Sequence, residues 1–273
     1  MTNALRASAT SLARQIAAQY GELPQVTAVS LGGSLATKQS GAGSDIDLYV
    51  YTVADIPLDA RQAIVQSNAS QYEIDNQFWE SGDEWIDQTT GIHVDVMFRS
   101  THWIEEQLNR VLVQHLASVG YSTCFWHNVL TSEKLFDKTG WYAELQVAAQ
   151  RPYPPQLQQN IIAKNYPILR HTLSSYLYQI NSAVRRKDTV SLNHRIAALL
   201  ASYFDILFAL NELPHPGEKR LLHLATTQCQ FQPDNMVEQI NHLLLASTGD
   251  EDVQDRVNVL VDGLQKLLGP QTA

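Results

Sequence analysis

Residues 151–155, RPYPP, carry three of the ten prolines in this 273-residue chain and separate two kinds of hydrophobic periodicity. Each proline fixes its own φ, lacks an N–H and pushes the residue before it out of the helical region, so a cluster of them stops whatever regular structure precedes it. Upstream, short runs with period-two alternation are interleaved with helical stretches; downstream, apolar residues recur only at helical spacing. The chain is therefore expected to form two domains. Residues 1–150 read as an α/β (α+β) unit on a short mixed sheet, and residues 151–273 as an all-α helical bundle.

Within the first half, residues 4–20 have the spacing of an amphipathic helix, ended by the breakers of Gly21 to Pro24. QVTAVSL (25–31) reads as a buried strand, and DIDLYVYTV (45–53) as a second. GIHVDVMFR (91–99) reads as a third, with Val94, Val96 and Phe98 on one face and Asp95 and Met97 on the other. LDARQAIVQSNAS (58–70) and THWIEEQLNRVLVQHLASV (101–119) are helical in pattern, and TSEKLFDKTG (131–140) is a short extended segment or turn. The second half divides into helices at about 156–187, 190–212, 217–229, 234–246 and 251–268.

The net charge of −9 is unevenly placed. Residues 1–150 hold 17 Asp and Glu against 8 Lys and Arg, whereas residues 151–273 hold 11 of each, so the whole excess lies in the first half. An acidic face repels a phosphate backbone, which makes nucleic acid an unlikely partner and a small cationic molecule a better one. Cys124 and Cys229 are far apart and lack the companions of a zinc site or a disulfide framework. No apolar stretch has the length of a membrane span, and a cytoplasmic protein is expected.

The chemistry concentrates in SLGGSLATKQSGAGSDIDLYVY, residues 30–51. In a strand, Asp45 and Asp47 project together while Ile46, Leu48 and Val50 go to the other side. Carboxylates that close repel unless a cation lies between them. Asp95 joins them if its strand pairs with theirs, and three such carboxylates suit Mg²⁺ when a substrate phosphate completes the shell. Gly32 and Gly33 allow close backbone approach, and Ser34 offers a hydroxyl and an N–H to a phosphate. The plainer alternative, an edge strand with carboxylates that discourage aggregation, explains neither the glycines nor Asp95.

Leu31-Gly32-Gly33-Ser34, ten residues, Asp45-Ile46-Asp47-Leu48 and the later Asp95 together resemble the signature of the DNA polymerase beta-type nucleotidyltransferase superfamily. A catalytic domain followed by a helical bundle is similar to the bacterial nucleotidyltransferases that act on aminoglycoside or lincosamide antibiotics. The resemblance implies that Asp45 and Asp47 bind two Mg²⁺ ions, that Asp95 completes the metal site towards the acceptor hydroxyl, and that Gly33 and Ser34 hold the β- and γ-phosphates. It implies a nucleoside triphosphate, ATP by first choice, as co-substrate and a small-molecule acceptor held by the helical domain. Lys219 and Arg220, after Pro216-Gly217 at an expected helix start, are candidates for the triphosphate tail. A protein or RNA acceptor, or a regulatory module that binds nucleotide without catalysis, are the alternatives.

Other features have blander readings beside sharper ones. YEIDNQFWESGDEWID, residues 72–87, holds six acidic residues and no basic one; it reads as a solvated, mobile loop with Phe78, Trp79 and Trp85 tucked inward, or as a wall of the acceptor pocket. The nine histidines read as packing or surface residues, although His93 is near Asp95. Glu144 and Glu212 are spare carboxylates that could serve as general base in place of Asp95. Tyr176, Tyr178, Tyr203, Phe204 and Phe208 read as core rather than as a base-stacking box.

Overall fold

The computed structural model describes residues 3–37, 45–78, 80–246 and 252–269. The chain sorts into two compact units, one of Met1–Asn109 with Asn128–Arg151, the other of Arg110–His127 with Pro152–Ala273. Lys38 to Ser44, Trp79 and residues 247–251 lie outside the described residues.

The first unit is built on a six-stranded mixed sheet. Its strands are β1 (Val26–Leu31), β2 (Ile46–Thr52), β3 (Ala69–Asn76), β4 (Gly82–Asp87), β5 (His93–Ser100) and β6 (Glu133–Asp137), in the order β3-β4-β5-β2-β1-β6. Among the described residues, β2 and β5 pair in parallel and the other neighbouring strands pair antiparallel. Period-two alternation gives the sheet two distinct faces. Val29 and Leu31, then Ile46, Leu48 and Val50, then Val94 and Val96 pack on one side against α1 (Asn3–Gly21) and α3 (Leu58–Asn68). From α1, Ala9, Leu12, Ala13, Ile16, Ala17 and Tyr20 form the buried stripe, the spacing of a helix lying on a sheet. The other face carries Asp47, Tyr49 and Tyr51 from β2. There, Tyr142 of α6 (Trp141–Ala149) stacks on Tyr51 with ring centroids 5.0 Å apart.

The acidic stretch 72–87 is not a loop. Most of it forms β3 and β4, the hairpin at the sheet's end. Trp85 enters the core and Asp83 is completely buried, where Arg61 of α3 meets it through Nε and Nη2. The stretch shows no cation of its own because its counter-charge comes from a helix upstream. Phe78, expected inside, is exposed. Two short helices, α5 (Cys124–Thr131) and α6, follow α4 (Thr101–Leu112), in a region whose helical pattern ended at residue 119 by sequence.

The second unit is all-helical, from α7 (Pro155–Arg170), α8 (Tyr176–Arg186), α9 (Thr189–Leu210), α10 (Leu221–Gln228), α11 (Met236–Leu245) and α12 (Val253–Leu268). The single helix expected over 156–187 is two. The chain turns after Arg170, and Ser175 caps α8 by accepting the Tyr178 N–H at 3.3 Å. Tyr203, Phe204 and Phe208 are buried core as expected, while Tyr178 is exposed. Residues 110–127 join this unit through buried polar bonds: the Ser122 N–H and hydroxyl donate to Asp205 at 2.9 and 2.6 Å, and the Gly120 N–H donates to Asn165 Oδ1 at 2.9 Å. Among the described residues, no helix is long and apolar enough to cross a membrane.

Candidate active site

The parallel pairing of β2 and β5 sets Asp47 directly beside Asp95. Adjacent strands lie about 4.8 Å apart, so two side chains on one face at one register level are neighbours. Antiparallel pairing of β4 with β5 then sets Glu84 opposite Asp95. Three carboxylates on three consecutive strands thus form a row across one face of the sheet. Asp45, one residue before β2, stands at its end, and His93 lies between two acids, its Nδ1 3.8 Å from Asp45 Oδ1 and its Nε2 3.7 Å from Glu84 Oε2. Sequence reading left Glu84 inside an undifferentiated acidic run. The alternation in GDEWID, with Asp83 and Trp85 inward, is the signal that turns Glu84 to this face.

The glycines are explained by what lies against them. Gly32 extends the β1–β2 ladder, its N–H donating to the Asp47 carbonyl at 2.8 Å. A Cβ at Gly32 would overlap the ring of Tyr49, and a Cβ at Gly33 would overlap the Asp47 carboxylate. Gly33 also has φ +61°, a conformation that side chains disfavour. It opens the one-turn helix α2 (Gly33–Ala36), in which Ser34 is half-buried and Thr37 Oγ1 donates back to the Gly33 carbonyl at 3.2 Å. The loop backbone is therefore laid directly on the strand that carries the acids.

Burial, followed by the charges of Glu84 and Asp47, pushes the Asp95 carboxyl up to about 6, with Asp45 adding to the rise and His93 opposing it. A folded-state pKa above the unfolded one means that the folded protein holds a proton more tightly. This contribution to stability is present in full below about pH 4 and is lost as pH rises through about 6. In metal-free buffer, Asp95→Asn is expected to raise the melting temperature at pH 8 and to leave it nearly unchanged at pH 4. Parallel wild-type and Asp95→Asn melting curves across that range would show that Asp95 is not strained by its neighbours.

The donors gathered here are carboxylate oxygens, the hard ligands that Mg²⁺ prefers, and the raised Asp95 pKa marks negative charge that a cation would relieve. Among the described residues, no three His, Cys, Asp or Glu side chains stand close enough together to hold a metal ion as placed. The donor chemistry fits such an ion, while the side chains stand apart.

The other candidates are dispersed. Glu144 is exposed on α6, and Glu212 is exposed just after α9. Lys219 and Arg220 are exposed in the helical unit. The helix expected from residue 217 begins only at Leu221, because Gly217 (φ +101°) and Arg220 (φ +60°) take left-handed conformations that no helix can include. Lys219 therefore precedes the helix and Arg220 sits at its N-cap.

No family model matches this chain, and no curated protein matches it. Among solved structures, it is similar to a nucleotidyltransferase-like protein from Exiguobacterium sibiricum 255-15, with 14% identity over 95% of this chain and 74% of the other and a TM-score of 0.45. It is also similar to the STING-associated CdnE c-di-GMP synthase of Capnocytophaga granulosa, with 13% identity, coverage of 97% and 81%, and a TM-score of 0.32. A third similarity is to the Thermotoga maritima CCA-adding enzyme, solved with tRNA, with 12% identity, coverage of 94% and 81%, and a TM-score of 0.33.

Proposed function

We propose that this chain is a Mg²⁺-dependent nucleotidyltransferase that moves a nucleoside monophosphate, AMP by first choice, from its triphosphate onto a hydroxyl of a small cationic acceptor, releasing pyrophosphate. The observation that carries this reading is the side-by-side placement of Asp47 and Asp95 with the Gly33 backbone pressed against the Asp47 carboxylate. Metal-binding acids and a loop with no side chains in the way are what a triphosphate needs at one place.

Asp45, Asp47 and Asp95 would hold the metal, which supplies charge neutralisation on the entering and leaving oxygens of in-line attack at the α-phosphorus. The Gly33 and Ser34 backbone N–H groups and the Ser34 hydroxyl would bind the β- and γ-phosphates, with Gly32 keeping the approach to them clear of a side chain. Asp95, on the side of the metal towards the acceptor, is proposed as proton acceptor for the attacking hydroxyl. Positioning then contributes most of the rate. The acidic balance of residues 1–150 favours a cationic acceptor, such as an aminoglycoside-like molecule, and the helical unit is proposed as the acceptor-binding domain. Lys219 and Arg220 remain candidates for charge contact with the triphosphate.

The test is pyrophosphate release with each of the four ribonucleoside triphosphates against a panel of aminoglycosides, lincosamides and polyamine alcohols, with mass spectrometry of the acceptor. Acceptor-dependent pyrophosphate and an acceptor heavier by one nucleoside monophosphate are expected. Label recovered on protein or RNA instead would move the acceptor to a macromolecule, and no release under any combination would overturn the transferase reading.

A further inference from the structure

Beyond the acids, the same face of the sheet carries a buried cluster to which the chemistry above gives no part. Tyr49 follows Asp47 by two residues and projects to the same side. Its ring fills the place where a side chain at Gly32 would begin, with Cζ 2.9 Å and the hydroxyl 3.0 Å from the position a Cβ there would take. Arg99, on the same face of β5 as Asp95, lays its guanidinium over that ring, 3.9 Å from the centroid. Two donors of Arg99 grip Glu80, Nε at 2.7 Å and Nη2 at 3.0 Å, and Nη1 donates to Asn128 Oδ1 at 2.8 Å. The ring is thus fixed by a planar cation that is itself held at three points.

We propose that Tyr49, clamped by Arg99, is a positioning residue that sets how closely the Gly32–Gly33 backbone approaches the Asp47 carboxylate, and that nucleotide affinity depends on it. The proposal rests on the reading of this site as a triphosphate site. Neither glycine has a side chain with which to find its height above the Asp47 and Tyr49 side chains, and the ladder bond from the Gly32 N–H fixes only the edge of the loop. Below it, the Tyr49 ring is the surface on which Gly32 rests, and one residue further on Gly33 rests on Asp47. A ring free to rock would let the phosphate-facing N–H groups drift relative to the acids. Errors of about 1 Å at such a site cost about two orders of magnitude in rate.

The experiment is calorimetric titration of the triphosphate that binds wild-type protein, in the presence of Mg²⁺, into four single variants and one double variant, with melting curves for each. Tyr49→Phe keeps the ring and the stack and is expected to bind within about twofold of wild type. Tyr49→Leu is expected to weaken binding about tenfold or more. Arg99→Lys keeps the charge beside Glu80 but loses the flat face, and is expected to weaken it about fivefold. Gly32→Ala drives a methyl into the ring and is expected to weaken binding at least about tenfold. Gly32→Ala/Tyr49→Leu makes room for that methyl and is expected to bind more tightly than Gly32→Ala alone.

A merely structural ring would lower melting temperatures without the rescue by Tyr49→Phe in binding and without the suppression in the double variant. Tyr49→Leu binding as wild type, or the double variant binding no better than Gly32→Ala, would overturn the proposal. If Tyr49→Leu fails to fold, Arg99→Lys and Gly32→Ala still decide it, since wild-type affinity in both would refute the clamp. Wild-type protein that binds no triphosphate at all would instead bring down the nucleotide reading, and this proposal with it.

Discussion

Asp47→Asn is expected to reduce nucleotidyl transfer by about three orders of magnitude or more while leaving the melting temperature equal to that of wild type or higher. Both halves follow from one placement. Asp47 is the carboxylate shared by the acid row and the glycine loop, beside Asp95 and against Gly33. Removing its charge would deprive a metal of a ligand, and it would also take away one of the charges that push Asp95 upward. An amide of the same shape still fits against Gly33, so the fold loses repulsion and little packing. Paired transfer assays and melting curves in metal-free buffer measure the two effects. A drop in stability with unchanged transfer would make the acids structural.

Arg61→Ala is expected to cost about 3–5 kcal/mol, since it leaves the buried Asp83 without its counter-charge. Arg61 Nη2 also donates to the Gly82 carbonyl at 3.1 Å, and its guanidinium lies over Phe98 at 4.2 Å. Asp83 is completely shielded, and its carboxylate also accepts the Asp75 N–H at 2.9 Å. In a unit of this size the loss corresponds to a fall of about 10 °C in melting temperature. Asp83→Ala on top of Arg61→Ala should cost less than the sum of the two single changes, because the second removes the charge that the first left stranded. A loss below about 1 kcal/mol for Arg61→Ala would contradict the pairing of Arg61 with Asp83 as a support of the fold.

These two residues also mark where the sequence was legible. β1, β2 and β5 announce themselves by alternation, and α1 and the long helices of the second unit by apolar spacing, because each buries one face against a partner that the pattern presupposes. The acid row was half legible. Asp47 and Asp95 stand in strands whose phase is plain, and Asp45 directly precedes one of them, whereas Glu84 required knowing that Asp83 faces the core. That fact is hidden, because a buried aspartate looks like any other acid until Arg61 is placed beside it, 22 residues away. The break between α7 and α8 turns on the Ser175 cap, which a helical apolar pattern runs straight across. The membership of residues 110–127 in the helical unit depends on Asp205 and Asn165, polar residues buried in α9 and α7, whose partners lie 83 and 45 residues away. Spacing rules see neighbours within a turn or along a strand, and these contacts are neither.

Whether the acid row and the glycine loop together hold a metal-bound triphosphate decides whether this site can transfer a nucleotide. Titrating ATP, GTP, CTP and UTP into the purified protein by calorimetry, with and without Mg²⁺, and repeating the series on Asp47→Asn, asks this without knowledge of the acceptor. Saturable binding of one triphosphate that requires Mg²⁺ and disappears in Asp47→Asn is the predicted result. Binding of none of the four, or binding indifferent to both Mg²⁺ and Asp47, would contradict it.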